Sequence, residues 1–125
     1  MAIERRNYVR FFAHDNAFAA LRVGFKKVGK IHDISIKGLA FSYLRETTAS
    51  DFDCHNLQVD IFLSGNGFYL SNVPCRIVYD FVDSPSDKGF FVKMSRCGLY
   101  FGELNEKQLD KLNFFIKNHT IRLKS

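Results

Sequence analysis

The sequence contains no tryptophan, two prolines and three cysteines among 125 residues. Fourteen phenylalanines stand where tryptophan is missing, which points to a Phe-rich core and does not identify a ligand. The cysteines, Cys54, Cys75 and Cys97, are odd in number and spaced 21 and 22 apart. That spacing fits neither a disulfide framework nor a zinc site, and it is the usage of thiols in a reducing cytosol. No apolar run approaches the ~18 residues of a membrane span, so no membrane insertion is expected. The N-terminus Met1-Ala2-Ile3-Glu4-Arg5-Arg6 leads into no apolar stretch with a small-residue cleavage site, so no signal peptide is expected and the protein is placed in the cytoplasm.

Motifs of catalysis are missing as well. There is no His-Glu-x-x-His, no Gly-x-Ser-x-Gly and no nucleotide-binding glycine loop. His14, His32, His55 and His119 are scattered, and the adjacent Cys54 and His55 have no second ligand pair at zinc spacing. Asp51 and Asp53 fall in a loop, where solvated carboxylates are the ordinary case. The sequence gives no reason to expect an enzyme, a metal site or a cofactor.

Apolar residues make up 46% and charged residues 25%, ordinary proportions for one globular domain with one core. The net charge is +5, and the excess sits early. Residues 1–37 hold eight Lys and Arg against Glu4, Asp15 and Asp33, and the rest of the chain is balanced. An N-terminal positive field suits an anionic partner, and a solvated basic face has the same composition.

Short alternating runs dominate the chain. Leu57, Val59, Ile61 and Leu63 alternate with Gln58, Asp60 and Phe62; Cys75, Ile77, Tyr79 and Phe81 alternate with Arg76, Val78 and Asp80; Phe90, Val92 and Met94 alternate with Phe91 and Lys93. A period of two predicts half-buried strands. Ser64-Gly65-Asn66-Gly67 reads as a hairpin turn, and Thr47 to Asp53 and Ser84 to Asp87 read as loops. The period then changes. Leu109, Leu112 and Ile116, widened by Phe115, predict a helix over 105–118 that opens with an Asn105/Gln108 capping box. Many short strands and one terminal helix predict a mainly β fold, an antiparallel barrel, because closure removes exposed edges.

Two segments carry chemistry. Arg6-x-x-x-Arg10, with Arg5 beside it, places planar guanidinium forks four residues apart. Such forks meet phosphate, or the O6/N7 edge of guanine, with paired hydrogen bonds. The second segment is Asp33-Ile34-Ser35-Ile36-Lys37-Gly38. Read as a strand, it turns Asp33, Ser35 and Lys37 outward and Ile34 and Ile36 toward the core. The Asp33 carboxylate can accept from guanine N1–H and N2–H₂, and Gly38 permits a turn, a bulge or a close approach.

An Arg-x-x-x-Arg arm followed some twenty residues later by Asp-x-Ser-x-x-Gly resembles the PilZ domain. Arg96-Cys97-Gly98-Leu99-Tyr100-Phe101, leading through Leu104 into the helix, is similar to the family's last strand and terminal helix. The likeness covers nearly the whole chain. It implies a small six-stranded antiparallel split barrel (residues 13–125), with the C-terminal helix packed on it and a flexible arginine-rich arm over residues 1–12. It implies a bacterial receptor that binds the second messenger cyclic di-GMP on the outer barrel face and signals to a protein effector by a change of shape. Arg5, Arg6 and Arg10 would contact phosphate and guanine, Asp33 and Ser35 would bind guanine, and Gly38 would permit the turn. With five residues before Arg6, no upstream domain and no output domain are expected. The competing readings are a nucleic-acid-binding barrel of OB or cold-shock type, which the basic charge and aromatics would suit, and a PilZ-like interaction module that does not bind the nucleotide. No nucleic-acid partner is expected, since most Phe fall on apolar strand faces.

Overall fold

The computed structural model describes residues 9–22, 26–46, 56–65, 67–84 and 92–122. The alternation seen in the sequence becomes eight strands: β1 (Phe11–Ala13), β2 (Ala17–Arg22), β3 (Lys26–Ile34), β4 (Gly38–Glu46), β5 (Leu57–Leu63), β6 (Tyr69–Ser84), β7 (Val92–Phe101) and β8 (Thr120–Arg122). Among the described residues a single helix, α1 (Glu106–Asn118), separates the last two. Six strands run in the order β2-β5-β6-β7-β4-β3, and the β2–β3 pairing closes them into an antiparallel barrel. The expected six-stranded barrel with its terminal helix is thus present. The two short strands are additions: β1 pairs with the far end of β3, and β8 pairs with β1.

The six barrel strands all supply inward residues: Ala19 and Leu21, Ile31 and Ile34, Leu39 and Phe41, Val59 and Ile61, Leu70 and Val73, Cys97 and Leu99. Leu112 and Phe115 of α1 join the same core. The helix starts as its sequence predicts. The Gln108 N–H donates to Asn105 Oδ1 at 2.7 Å, and the Asn105 N–H donates to Gln108 Oε1 at 3.1 Å. Gln108 Nε2 also donates to the carbonyls of Ser71 and Asn72, which fixes the helix start against β6. Burial pushes the Cys75 thiol up to about 12, so it stays neutral and unreactive in the core.

Four sequence expectations change. Tyr79 and Phe81 do not share the buried face of Cys75: they are 38% and 48% exposed. The register between β6 and β7 slips between Ile77 and Tyr79, and such a bulge inverts every later side chain. On β7, Met94 is exposed, and Ser95, Cys97 and Leu99 face inward. Residues 35–37 are not strand. β3 ends at Ile34, a tight turn follows, and Ile36 is exposed rather than in the core. Leu109 also lies outside the buried helix stripe, which consists of Leu112 and Phe115 with Ile116 packed beside them. Of the expected strand around Phe90 to Met94, the part before Val92 lies outside the described residues, as does the Thr47 to Asp53 loop.

Asp60 sits on the nominally polar face of β5, yet it is 1% exposed. The β5–β6 register shifts between Val59 and Ile61, and the carboxylate fills the irregularity. Its Oδ1 accepts from the Asn72 N–H at 2.9 Å, where Asn72 adopts a left-handed φ of 60°. Its Oδ2 accepts from Arg22 Nη2 and from Tyr69 Oη, each at 2.8 Å. Burial opposes ionisation, but the Asn72, Arg22 and Tyr69 bonds outweigh it and hold the carboxyl below its usual value. Asp60→Ala is expected to destabilise the fold by about 2–3 kcal/mol, the scale of lost bonds to a charged group. A group with a depressed folded pKa contributes stability that is present above its unfolded value of about 4 and lost as pH falls through the folded one. Denaturant titrations at neutral pH and below pH ~4 check this: the gap between wild type and Asp60→Ala should narrow in acid, and a gap independent of pH would contradict it.

Candidate functional site

The two segments singled out in the sequence meet at the far end of β3. Asp33 pairs with Ala40 of β4 on one side and with Phe12 of β1 on the other. Because β1 begins at Phe11, that pairing brings Arg10 alongside Asp33. Arg10 Nε and Nη2 both donate to Asp33 Oδ1, at 3.0 and 2.5 Å. The side chains are 31% and 18% exposed. A charge-assisted contact this close orders the guanidinium before any ligand arrives. It uses one carboxylate oxygen and leaves the Nη1 donors of Arg10 for another partner.

The chain then turns. The Ser35 N–H donates to the Gly38 carbonyl at 2.8 Å, and the Lys37 N–H donates to Ser35 Oγ at 3.1 Å. Ser35 is buried, at 6% exposure, and its hydroxyl closes the turn beside a cavity. The Phe101 N–H donates to the Lys37 carbonyl at 2.7 Å and ties the turn to β7. Gly38 is required by this closeness, since a Cβ there would stand 2.1 Å from the Leu99 carbonyl oxygen.

A cavity of about 220 Å³ opens between this turn and the outer face of β6 and β7. Arg10, Ser35 and Gly38 line it, together with Tyr79, Gly98 and Tyr100. Its floor is Gly98, over which the Tyr79 ring lies; a Cβ at Gly98 would stand 2.2 Å from Tyr79 Cε2. Tyr79 stacks on Phe81 at 5.5 Å between centroids, and Arg76 sits 5.0 Å over the Tyr100 ring. Burial raises the Tyr79 hydroxyl above its ordinary pKa, the charge of Asp33 adds to this, and Arg10 and Arg96 oppose it. The phenol therefore stays protonated and can donate a hydrogen bond. The volume is below the ~300–1,000 Å³ of pockets that enclose a drug-sized ligand, so the site is an open face with aromatic rings, two fixed charges and a hydroxyl.

The structure thus brings together Arg10, Asp33, Ser35 and Gly38. Arg5 and Arg6 lie outside the described residues, as do residues 1–8 of the expected arm; Phe11 and Phe12, at its end, form part of β1. Tyr79, Gly98 and Tyr100 were not singled out as site residues. The only signal for Tyr79 would have been the β6 bulge, which strict alternation conceals. Among the described residues, no group of three or more His, Cys, Asp or Glu could hold a metal ion, and no helix is long and apolar enough to cross a membrane.

Two glycine variants separate the fold from the site. Gly38→Ala forces a Cβ against backbone and should lower the melting temperature by several degrees. Gly98→Ala meets a side chain that can lift away. It should melt close to wild type, with the Tyr79 ring displaced in proton NMR spectra. Equal destabilisation by both would contradict this account.

Neither a family model nor a curated protein matches the sequence. Solved structures do. The PilZ domain of YcgR from Escherichia coli, solved with c-di-GMP, superposes with a TM-score of 0.66 at 14% identity, over 93% of this chain and 92% of that one. MrkH of K. pneumonia, in its c-di-GMP complex, superposes with a TM-score of 0.66 at 16% identity. There the match covers 93% of this chain and 52% of MrkH, so the chain spans about half the length of that protein. With the six-stranded barrel, the terminal helix and this agreement in place, the chain has the fold of a PilZ-like domain.

Proposed function

We propose that this protein is a non-enzymatic bacterial receptor for cyclic di-GMP. The observation that carries the reading is the Arg10–Asp33 pair, held at one edge of a cavity whose other wall is Tyr79 over Gly98. A ligand with guanine bases and phosphodiester charges can use each part. A guanine stacks on the phenol ring and donates its N1–H and N2–H₂ to Asp33. Phosphate and the Hoogsteen edge take the donors of Arg10. The likeness to structures that hold c-di-GMP supports the same ligand.

In this reading the arm that precedes β1 completes the site. Arg5 and Arg6 precede Arg10 by a few residues and approach the ligand from the open side, and Ser35 adds its hydroxyl from below. Bonds to charged groups are worth about 1.5–3 kcal/mol each. Several of them, less the cost of ordering the arm, reach about −8 kcal/mol, a micromolar affinity. The closed arm then presents a changed surface to a protein effector in the cytoplasm, and no cofactor takes part.

Calorimetric titration of cyclic di-GMP, with GTP and cyclic di-AMP as controls, tests the proposal. Wild type is expected to bind at micromolar or lower concentration, and Arg6→Ala, Arg10→Ala and Asp33→Ala to lose about 100-fold or more, the weight of two such bonds. Absence of binding by wild type, or tight binding of single-stranded oligonucleotides with steep salt dependence, would overturn it.

A further inference from the structure

Arg96 lies on the same outer face, on β7. It is cross-strand from Ser42 on β4 and from Phe81 on β6. One step along the face in the pairing register, Gly98 is cross-strand from Ala40 and Tyr79, and the next step pairs Gly38 with Tyr100. Arg96 therefore stands on the side of Tyr79 away from the 35–38 turn, with Phe81 beside it. It is half-buried, and its Nε is buried with no hydrogen-bond partner among the described residues.

That state is unusual for this side chain. A guanidinium does not give up its charge, and a buried donor left unanswered carries its full desolvation cost. Two other guanidinium groups on the barrel are answered by carboxylates, Arg10 by Asp33 and Arg22 by Asp60, and Arg76 lies over the Tyr100 ring. Ser42, across from Arg96 on β4, is engaged with His32. Arg96 also acts on the Tyr79 hydroxyl in the same sense as Arg10, so both charges lie within electrostatic reach of one phenol.

We infer that Arg96 is an anion-binding residue of this face, taking a phosphate oxygen of the nucleotide on the opposite side of Tyr79 from Arg10. The inference rests on the cyclic di-GMP reading and extends it: the ligand is gripped by cations on both flanks of the aromatic ring, one beside the turn and one on β7.

The test titrates cyclic di-GMP into wild type, Arg96→Ala, Arg96→Lys and Lys107→Ala, the last removing one positive charge from the exposed side of α1. Arg96→Ala is expected to bind about tenfold or more weakly, the scale of one bond to a charged group. Arg96→Lys should fall between it and wild type, and Lys107→Ala should match wild type. Thermal melts of the unliganded proteins should show Arg96→Ala as stable as wild type, because no bond is lost, and the phosphorus resonances of the bound ligand should shift between wild type and Arg96→Ala. Wild-type binding with Arg96→Ala unchanged within about twofold, or an Arg96→Ala loss that Lys107→Ala reproduces, would overturn this inference alone. A wild type that binds nothing would overturn the nucleotide reading and this inference with it.

Discussion

Between Ile77 and Tyr79, strand β6 gains one residue relative to β7, and both surfaces of the barrel depend on that slip. Outside, it turns Tyr79 and Phe81 onto the face that Gly98 leaves open. Inside, it turns Asp80 toward the barrel wall, where Tyr43 Oη donates to both carboxylate oxygens at 2.8 and 2.9 Å. Lys27, 7% exposed, reaches the same group: its Nζ is 3.1 Å from Tyr43 Oη and 3.4 Å from Asp80 Oδ2. A buried charge persists when it is paired and hydrogen-bonded, so the inward Asp80 and its partners resist a return of β6 to regular register. The bulge that builds the aromatic floor is thereby held from within.

A second chain of dependence runs through the short strands. β8 follows α1, pairs with β1 and sets Phe12 against Ile121; β1 in turn pairs with β3 and sets Phe11 against Ile34. The helix is anchored at its start by Gln108 on β6 and buried through Leu112 and Phe115. The C-terminal part of the chain thus positions the segment that carries Arg10.

Local chemistry was legible wherever one segment determines its own structure. The Asn105/Gln108 capping box and the inward Leu57, Val59, Ile61 and Leu63 of β5 both follow from residues within a few positions of each other. What strict alternation concealed was every irregularity set by a neighbouring strand. Asp60 reads as solvent-facing until the register of β6 delivers the Asn72 N–H to it. Tyr79 reads as core until the bulge inverts it. The Asp33 to Gly38 segment reads as strand because its polar and apolar residues alternate, and it turns because the Ser35 and Gly38 backbones bond to each other while β7 crowds against Gly38. The candidate site was half legible in the same way. Arg10, Asp33, Ser35 and Gly38 are motif residues, whereas Tyr79, Arg96 and Gly98 acquire meaning only from the face on which the strands place them.

The central claim is that one outer face, from the Asp33–Gly38 turn across β7 to the β6 bulge, is where a guanine nucleotide binds. Amide NMR of the isotopically labelled protein during addition of cyclic di-GMP tests it most directly. The account predicts shifts concentrated at Arg10, residues 33–38, Val78 to Asp80 and Arg96 to Tyr100, with α1 residues such as Asp110 and Lys117 unmoved. Shifts centred instead on β2 and β5, or none at saturating ligand, would contradict it.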